Sequence, residues 1–152
     1  MSDLTFVDTS AGGGSDGDGG AIAITGGKFS RGGVELRNIQ ITTGSATRYG
    51  GAICVDDTGE YGLTMEGLTI DTGSATSGGC IYLSREGGHV SLNDSTFTGC
   101  SATDGHGGTA YVGAEIDMKD VSVTSSNATE YGGAVYFNGS DTTVNTVSVR
   151  DG

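Results

Sequence analysis

The chain has 152 residues, 30 of them Gly, with no Pro and no Trp, and 7 Lys plus Arg against 19 Asp plus Glu give a formal charge of −12. That length holds one compact domain or one short solenoid, and the charge repels nucleic-acid phosphates and anionic lipid heads, so neither is expected as a partner. No apolar run approaches the roughly 18 residues that would span a bilayer, direct membrane insertion is not expected, and Met1-Ser2-Asp3 does not read as the start of a signal peptide.

Taken in order, the chain repeats itself. Leu4 and Phe6 open a first strand, followed by Thr9-Ser10-Ala11, the loop Gly12 to Asp18, and the strand Ala21 to Ile24 after Gly19-Gly20. A second copy runs Val34, Leu36, Asn38, Ile39, Ile41, then Ser45-Ala46-Thr47, then Gly50-Gly51-Ala52-Ile53-Cys54-Val55. The third has Leu63, Met65, Gly67, Leu68, Ile70, then Ser74-Ala75-Thr76, then Gly78-Gly79-Cys80-Ile81-Tyr82-Leu83. The fourth has Val90, Leu92, Asp94, Ser95, Phe97, then Ser101-Ala102-Thr103, then Gly107-Gly108-Thr109-Ala110-Tyr111-Val112. The fifth has Ile116, Met118, Asp120, Val121, Val123, then Asn127-Ala128-Thr129, then Gly132-Gly133-Ala134-Val135-Tyr136-Phe137. Val144, Val147 and Val149 start a sixth.

The first glycines stand at 19, 50, 78, 107 and 132, so the intervals are 31, 28, 29 and 25 residues. A period of that size marks stacked repeats, none of which can bury its apolar face alone. High Gly and charge also describe disordered chains, but disorder has no reason to keep β-branched and aliphatic residues in register. Within each copy, apolar residues alternate with period two, the mark of a strand with one buried face. The parity shifts at Asn38, Gly67, Asp94 and Asp120, residue types that accept left-handed backbone, so a corner is expected there and a second at Ser-Ala-Thr.

Three short strands per coil, pairing in parallel between coils, give an all-β fold: a right-handed parallel β-helix, with the hand taken from the crossover preference. It is a β-solenoid of about five coils of 25–31 residues, at approximately 1–33, 34–62, 63–89, 90–115 and 116–143, with a partial coil over 144–152. The whole of 1–152 reads as a single β-helix domain and a segment of a longer array. Ile41, Ile70, Phe97, Val123 and Val149 are expected to stack inside, as are Ile53, Ile81, Ala110 and Val135; Ala11, Ala46, Ala75, Ala102 and Ala128 form a column of small residues. Ser95 is the one polar break in its column. Cys54, Cys80 and Cys100 cannot all pair within the chain, form no CxxC, and read as small buried hydrophobes.

Phe97-Thr-Gly-Cys100-Ser-Ala102 together with Gly132-Gly133-Ala134-Val135 resembles the F-x-x-N/C/S-x-A and GGA[IV] motifs of polymorphic outer-membrane protein repeats in autotransporter adhesins. The resemblance extends over nearly the whole chain, with Gly44, Gly73 and Ser126 where those repeats prefer Asn. It implies a surface-displayed passenger segment with adhesive or structural duty.

Outward columns are where chemistry is expected. Tyr82, Tyr111 and Tyr136, preceded by Cys54 and Ala23, face away from the core and would stack into an aromatic stripe about 10 Å long at strand spacing, suited to a glycan or a cell-surface protein. Gln40, Thr69, Thr96 and Ser122 with Thr42, Asp71, Thr98 and Thr124 form a polar face, an interrupted version of an ice-binding threonine array. Asp16-Gly-Asp18 resembles half of a calcium loop but lacks the closing bidentate Glu; no cofactor is expected beyond a Ca²⁺ ion there, and Asp56, Asp57 and Glu60 form a similar acidic loop. Asp56-Asp57 with Gly105-His106-Gly107 resembles the paired aspartates and Gly-His-Gly of polygalacturonase-like hydrolases, which need two carboxyls flanking one bond; the third aspartate motif and the basic clamp are missing. Asn93, Asn127 and Asn138 head glycosylation sequons. The expected function is a non-enzymatic, extracellular structural or adhesive module whose strand-edge ends stack on copies of itself or on neighbouring coils. A carbohydrate-active enzyme and an ice-binding solenoid are the alternatives.

Overall fold

A computed structural model describes residues 2–12, 17–25, 33–56, 62–84, 88–138 and 142–150. The first coil holds β1 (Ser2–Phe6), β2 (Thr9–Ala11) and β3 (Ile22–Ile24), and the second β4 (Val34–Ile41), β5 (Gly44–Ala46) and β6 (Ile53–Val55). The third holds β7 (Leu63–Glu66), β8 (Thr69–Ile70), β9 (Gly73–Ala75) and β10 (Ile81–Leu83). The fourth holds β11 (Val90–Thr98), β12 (Cys100–Ala102) and β13 (Ala110–Val112), and the fifth β14 (Ile116–Thr124), β15 (Asn127–Ala128) and β16 (Val135–Phe137). A sixth begins with β17 (Thr142–Val144) and β18 (Val147–Arg150).

These strands form three parallel sheets, one of eight strands and two of five, running through the coils in order. Each five-stranded sheet takes four steps from the first coil to the fifth. The fold is a parallel β-solenoid with three strands per coil.

The strands are divided differently from the sequence expectation. Asn38, Asp94 and Asp120 do adopt left-handed backbone (φ 51°, 47° and 54°), as does Gly67. They bend the strand without ending it: β4, β11 and β14 run straight through, while the third coil is interrupted between β7 and β8 and the sixth between β17 and β18. One left-handed residue inverts which side chains face inward, so Leu36, Ile39 and Ile41 are all buried while Asn38 is exposed. Ser-Ala-Thr is no corner either. Ser10-Ala11 and its equivalents are ladder residues of the second sheet, paired Ser10 to Ser45, Ser45 to Ser74 and Ser74 to Ser101.

The expected columns are in register, although Val149, expected inside, is 56% exposed at the end of its column. Ile41, Ile70, Phe97, Val123 and Val149 are register partners in succession, as are Ile22, Ile53, Ile81, Ala110 and Val135. Burying each aliphatic side chain contributes about 1.5–3 kcal/mol. Ser95, 1% exposed, keeps its place among these apolar residues because its hydroxyl accepts from the Leu68 amide and donates to the Asn93 carbonyl. A buried hydroxyl left without partners would be destabilising.

The Gly-Gly pair has a separate reason for each glycine. Gly19, Gly50, Gly78, Gly107 and Gly132 all have φ between 61° and 70°, a conformation that disfavours a side chain. The second glycine is a matter of space. A Cβ on Gly20, Gly51, Gly79 or Gly108 would overlap the carbonyl oxygen of the following coil's second glycine. At Gly133 the nearest atom would be the Ser126 oxygen, 3.9 Å away.

The cysteine expectation is corrected for two of the three. Cys80 and Cys100 form a disulfide across the junction of the third and fourth coils, and only Cys54 remains a free, buried thiol. Cys80 occupies the position held by Ala52 and Thr109 in other coils, and Cys100 that held by Gly73 and Ser126. Those positions abut across the junction: one coil on, Thr109 Oγ1 lies 2.6 Å from Ser126 Oγ. Gly73 leaves the room the disulfide needs, since a Cβ there would overlap Cys80 Sγ.

Candidate functional site: the aromatic ladder

The third sheet carries the tyrosine column on its outer side. Ala23, Cys54, Tyr82, Tyr111 and Tyr136 are successive register partners, and the three tyrosines are half-buried. Parallel pairing holds like residues about 4.8 Å apart, within the roughly 4.5–7 Å centroid separation of aromatic pairs, so identical aromatics on this face fall into contact. Tyr82 and Tyr111 stack with centroids 4.7 Å apart and planes 15° from parallel, and Tyr111 and Tyr136 follow at 5.4 Å and 37°.

Three further rings join that sequence reasoning left out. Tyr49 stacks on Tyr82 at 4.3 Å, His106 on Tyr136 at 4.5 Å, and Tyr131 lies 5.3 Å from His106. Tyr49, His106 and Tyr131 all stand just before Gly-Gly, and the left-handed glycine turn folds that residue over the strand it precedes. A ring there in one coil meets the tyrosine of the next, as in Tyr49 with Tyr82 and His106 with Tyr136. Reciprocal size is a signal in two coils, where Tyr49 goes with a small Cys54 and small Ser77 with Tyr82, but the fourth and fifth coils carry rings at both positions. Cys54, though on the outward side, is 1% exposed.

Burial and two neighbouring phenols change the chemistry within the ladder. Tyr82 has its pKa raised well above the usual phenol range, first by desolvation and then by Tyr111 and Tyr49. The Cys54 thiol is pushed up to about 12, again first by burial and then by the Asp18 and Asp56 carboxylates. Both therefore stay protonated near neutrality. The Tyr111 hydroxyl accepts a hydrogen bond from the Asn138 side-chain amide.

Stacking changes what the stripe can offer. Rings stacked along the axis use their faces on each other and turn edges and hydroxyls outward. The edge of an aromatic ring is the positive part of its quadrupole. A flat platform for sugar faces is therefore not what the middle of the ladder presents; it presents a row of phenol hydroxyls.

The other candidates are placed as follows. Asp18 Oδ1 lies 3.8 Å from Arg48 Nε, while Asp16 falls outside the described residues, as do Asp57 and Glu60. Among the described residues no three His, Cys, Asp or Glu side chains converge as a metal cage. Asp56 is exposed, and its carbonyl accepts from the Ser84 hydroxyl. The His106 ring packs against Tyr131 and Tyr136, and its Nδ1 is 3.1 Å from Glu130 Oε2. Gln40, Thr69, Thr96, Ser122 and Ser148 line up on the outer side of the first sheet. On that sheet Arg37 bridges Glu35 in its own coil and Glu66 in the next.

The chain matches no protein-family model, and no curated protein or solved structure is significantly similar to it.

Proposed function

We propose that this chain is a non-enzymatic structural and adhesive module, displayed outside the cell or on its surface, that binds an extended ligand along the outer side of the third sheet. The observation that carries this reading is the continuous row of Tyr49, Tyr82, Tyr111 and Tyr136, held 4.3 to 5.4 Å apart on a rigid scaffold. Phenols on rings at that centroid spacing suit a hydroxyl- or carbonyl-rich chain lying parallel to the axis, either a glycan or an extended segment of a cell-surface protein. The Cys80–Cys100 disulfide supports an oxidising compartment. The GGA[IV] and F-x-x-C-x-A motifs support a kinship in style with autotransporter passenger repeats.

A second copy stacked end to end is supported by the C-terminal coil. Among the described residues no following carbonyl lies against Gly133, and Phe137, Val144 and Val149 are 40%, 48% and 56% exposed. Uncovered strand edges and apolar residues are what a further coil would cover.

A glycan array with wild type and the Tyr82→Phe/Tyr111→Phe double variant tests the ligand face. The phenylalanines keep the stack and remove two hydroxyls, each worth about 1 kcal/mol, so binding should weaken about tenfold or more. Equal binding by the variant sinks the hydroxyl-row reading. Sugar released by wild type but not by His106→Ala or Asp57→Asn would replace the adhesive reading with a hydrolase.

A further inference from the structure

The ladder has two ends, finished differently. At the lower end the Arg48 guanidinium carbon lies 4.8 Å from the Tyr49 ring centroid, and Arg48 Nε is 3.8 Å from Asp18 Oδ1. A ring, a cation and a carboxylate close that end from within the chain. At the upper end Tyr131 and Tyr136 lie side by side, with centroids 6.5 Å apart and planes 25° from parallel. His106 packs against both, and Glu130 holds a carboxylate oxygen 3.1 Å from His106 Nδ1. Tyr131 is 67% exposed and the Glu130 side chain 53%. Ring and carboxylate are both present there, and the ring is open to solvent.

We propose that the Tyr131–Tyr136 end of the ladder is a binding site for a weakly hydrated organic cation, a guanidinium or an alkylated ammonium, seated over the Tyr131 ring beside Glu130. The face of a tyrosine is the negative part of its quadrupole and attracts cations. In the middle of the ladder the faces are spent on neighbouring rings, and at the lower end Arg48 already lies over Tyr49. The exposed Tyr131 is where a ring face meets solvent. The charge of −12 raises the local concentration of cations and repels anions. An organic cation also sheds water more readily than a compact, strongly hydrated one. This site goes beyond the hydroxyl row, using ring faces at one end where the extended ligand would use phenol hydroxyls along the side; a copy stacked on the C-terminal coil would compete for that end, so the titration below uses the monomer.

The test titrates the full oxidised chain with tetramethylammonium chloride and, separately, with N-acetyl-arginine amide, using sodium chloride at equal ionic strength as control. Ring currents should shift the probe's protons upfield in a saturable way. Tyr131→Ala should weaken binding about two- to fivefold, the size expected for one exposed cation–π contact, while Tyr131→Phe should bind like wild type. Arg48→Ala uncovers Tyr49 beside Asp18 and should raise the stoichiometry from one to two. Saturation by the arginine amide alone assigns the site to protein side chains, and saturation by tetramethylammonium as well extends it to alkylammonium groups. The proposal is overturned by a non-saturable shift with both probes, by unchanged binding in Tyr131→Ala, or by equal losses in Tyr131→Phe and Tyr131→Ala. Tyr82→Phe/Tyr111→Phe should leave cation binding unaltered, so this site and the hydroxyl row can fail separately.

Discussion

Two neighbouring coil junctions place different bonds at the same two positions. Between the third and fourth coils Cys80 and Cys100 are joined covalently; between the fourth and fifth, Thr109 and Ser126 hydroxyls meet at 2.6 Å. Beneath this difference the backbone is alike: Gly79 lies against the carbonyl of Gly108, and Gly108 against that of Gly133. The glycines therefore fix how closely coils approach, and the side chains at the two abutting positions decide only how strongly the junction is fastened.

The largest effect should come from breaking what the junctions share. Gly79→Ala and Gly108→Ala each drive a methyl into a carbonyl of the next coil and should cost about 3 kcal/mol. Gly133→Ala, with only the Ser126 oxygen 3.9 Å away, should change stability by under about 0.5 kcal/mol. Urea unfolding midpoints of the three variants decide; equal values would show that the carbonyl contacts do not set the spacing. Next comes what differs between the junctions. Cys80→Ala/Cys100→Ala opens a loop of sequence separation 20 and should lose about 3 kcal/mol at most, since native strain reduces the figure. Thr109→Val, at a 1% exposed position, strands the Ser126 hydroxyl and should lose about 1 kcal/mol. Matching melting temperatures for these two variants would mean that the covalent link adds nothing. The smallest effect separates the third cysteine from the bonded pair. Burial pushes the Cys54 thiol up to about 12 from an ordinary 9.0, so it favours the fold fully below pH 9. That contribution is lost as pH rises from about 9 to about 12. At pH 9.5 the change is under about 1 kcal/mol. Cys54→Ala should flatten that part of the profile, measured in a Tyr82→Phe background so that the raised phenol does not overlay it; an unchanged slope would overturn the assignment.

Much of the fold is legible because burial leaves a signature at fixed spacing. Alternation on either side of Asn38, the alanines from Ala11 to Ala128, and the recurring Gly-Gly each record a side chain or gap that every coil repeats. The bend at Asn38 is legible as a parity change, but parity alone does not say whether a strand ends or merely turns, and here it turns. The site is half legible. Tyr82, Tyr111 and Tyr136 share one repeat position, whereas Tyr49, His106 and Tyr131 share theirs with Asp18 and Ser77, which have no chemistry in common. Their partners also lie one coil away, a relation that only the pitch and the glycine turn create. Cys80 and Cys100 are hidden for the same reason: they hold different repeat positions, and only the stacked coils bring those positions together.

The disulfide also sets a limit on how the chain responds to force. A solenoid pulled from its ends peels one rung at a time, and each freed residue lengthens the tether by about 3.3–3.6 Å. The residues between Cys80 and Cys100 cannot join that extension while the bond is intact, which removes roughly 70 Å from the reach of the unravelled chain. They belong to β10, β11 and the start of β12, so strands from all three sheets stay tethered close together. Under tension, those strands are a knot of material near which peeled coils can rewind.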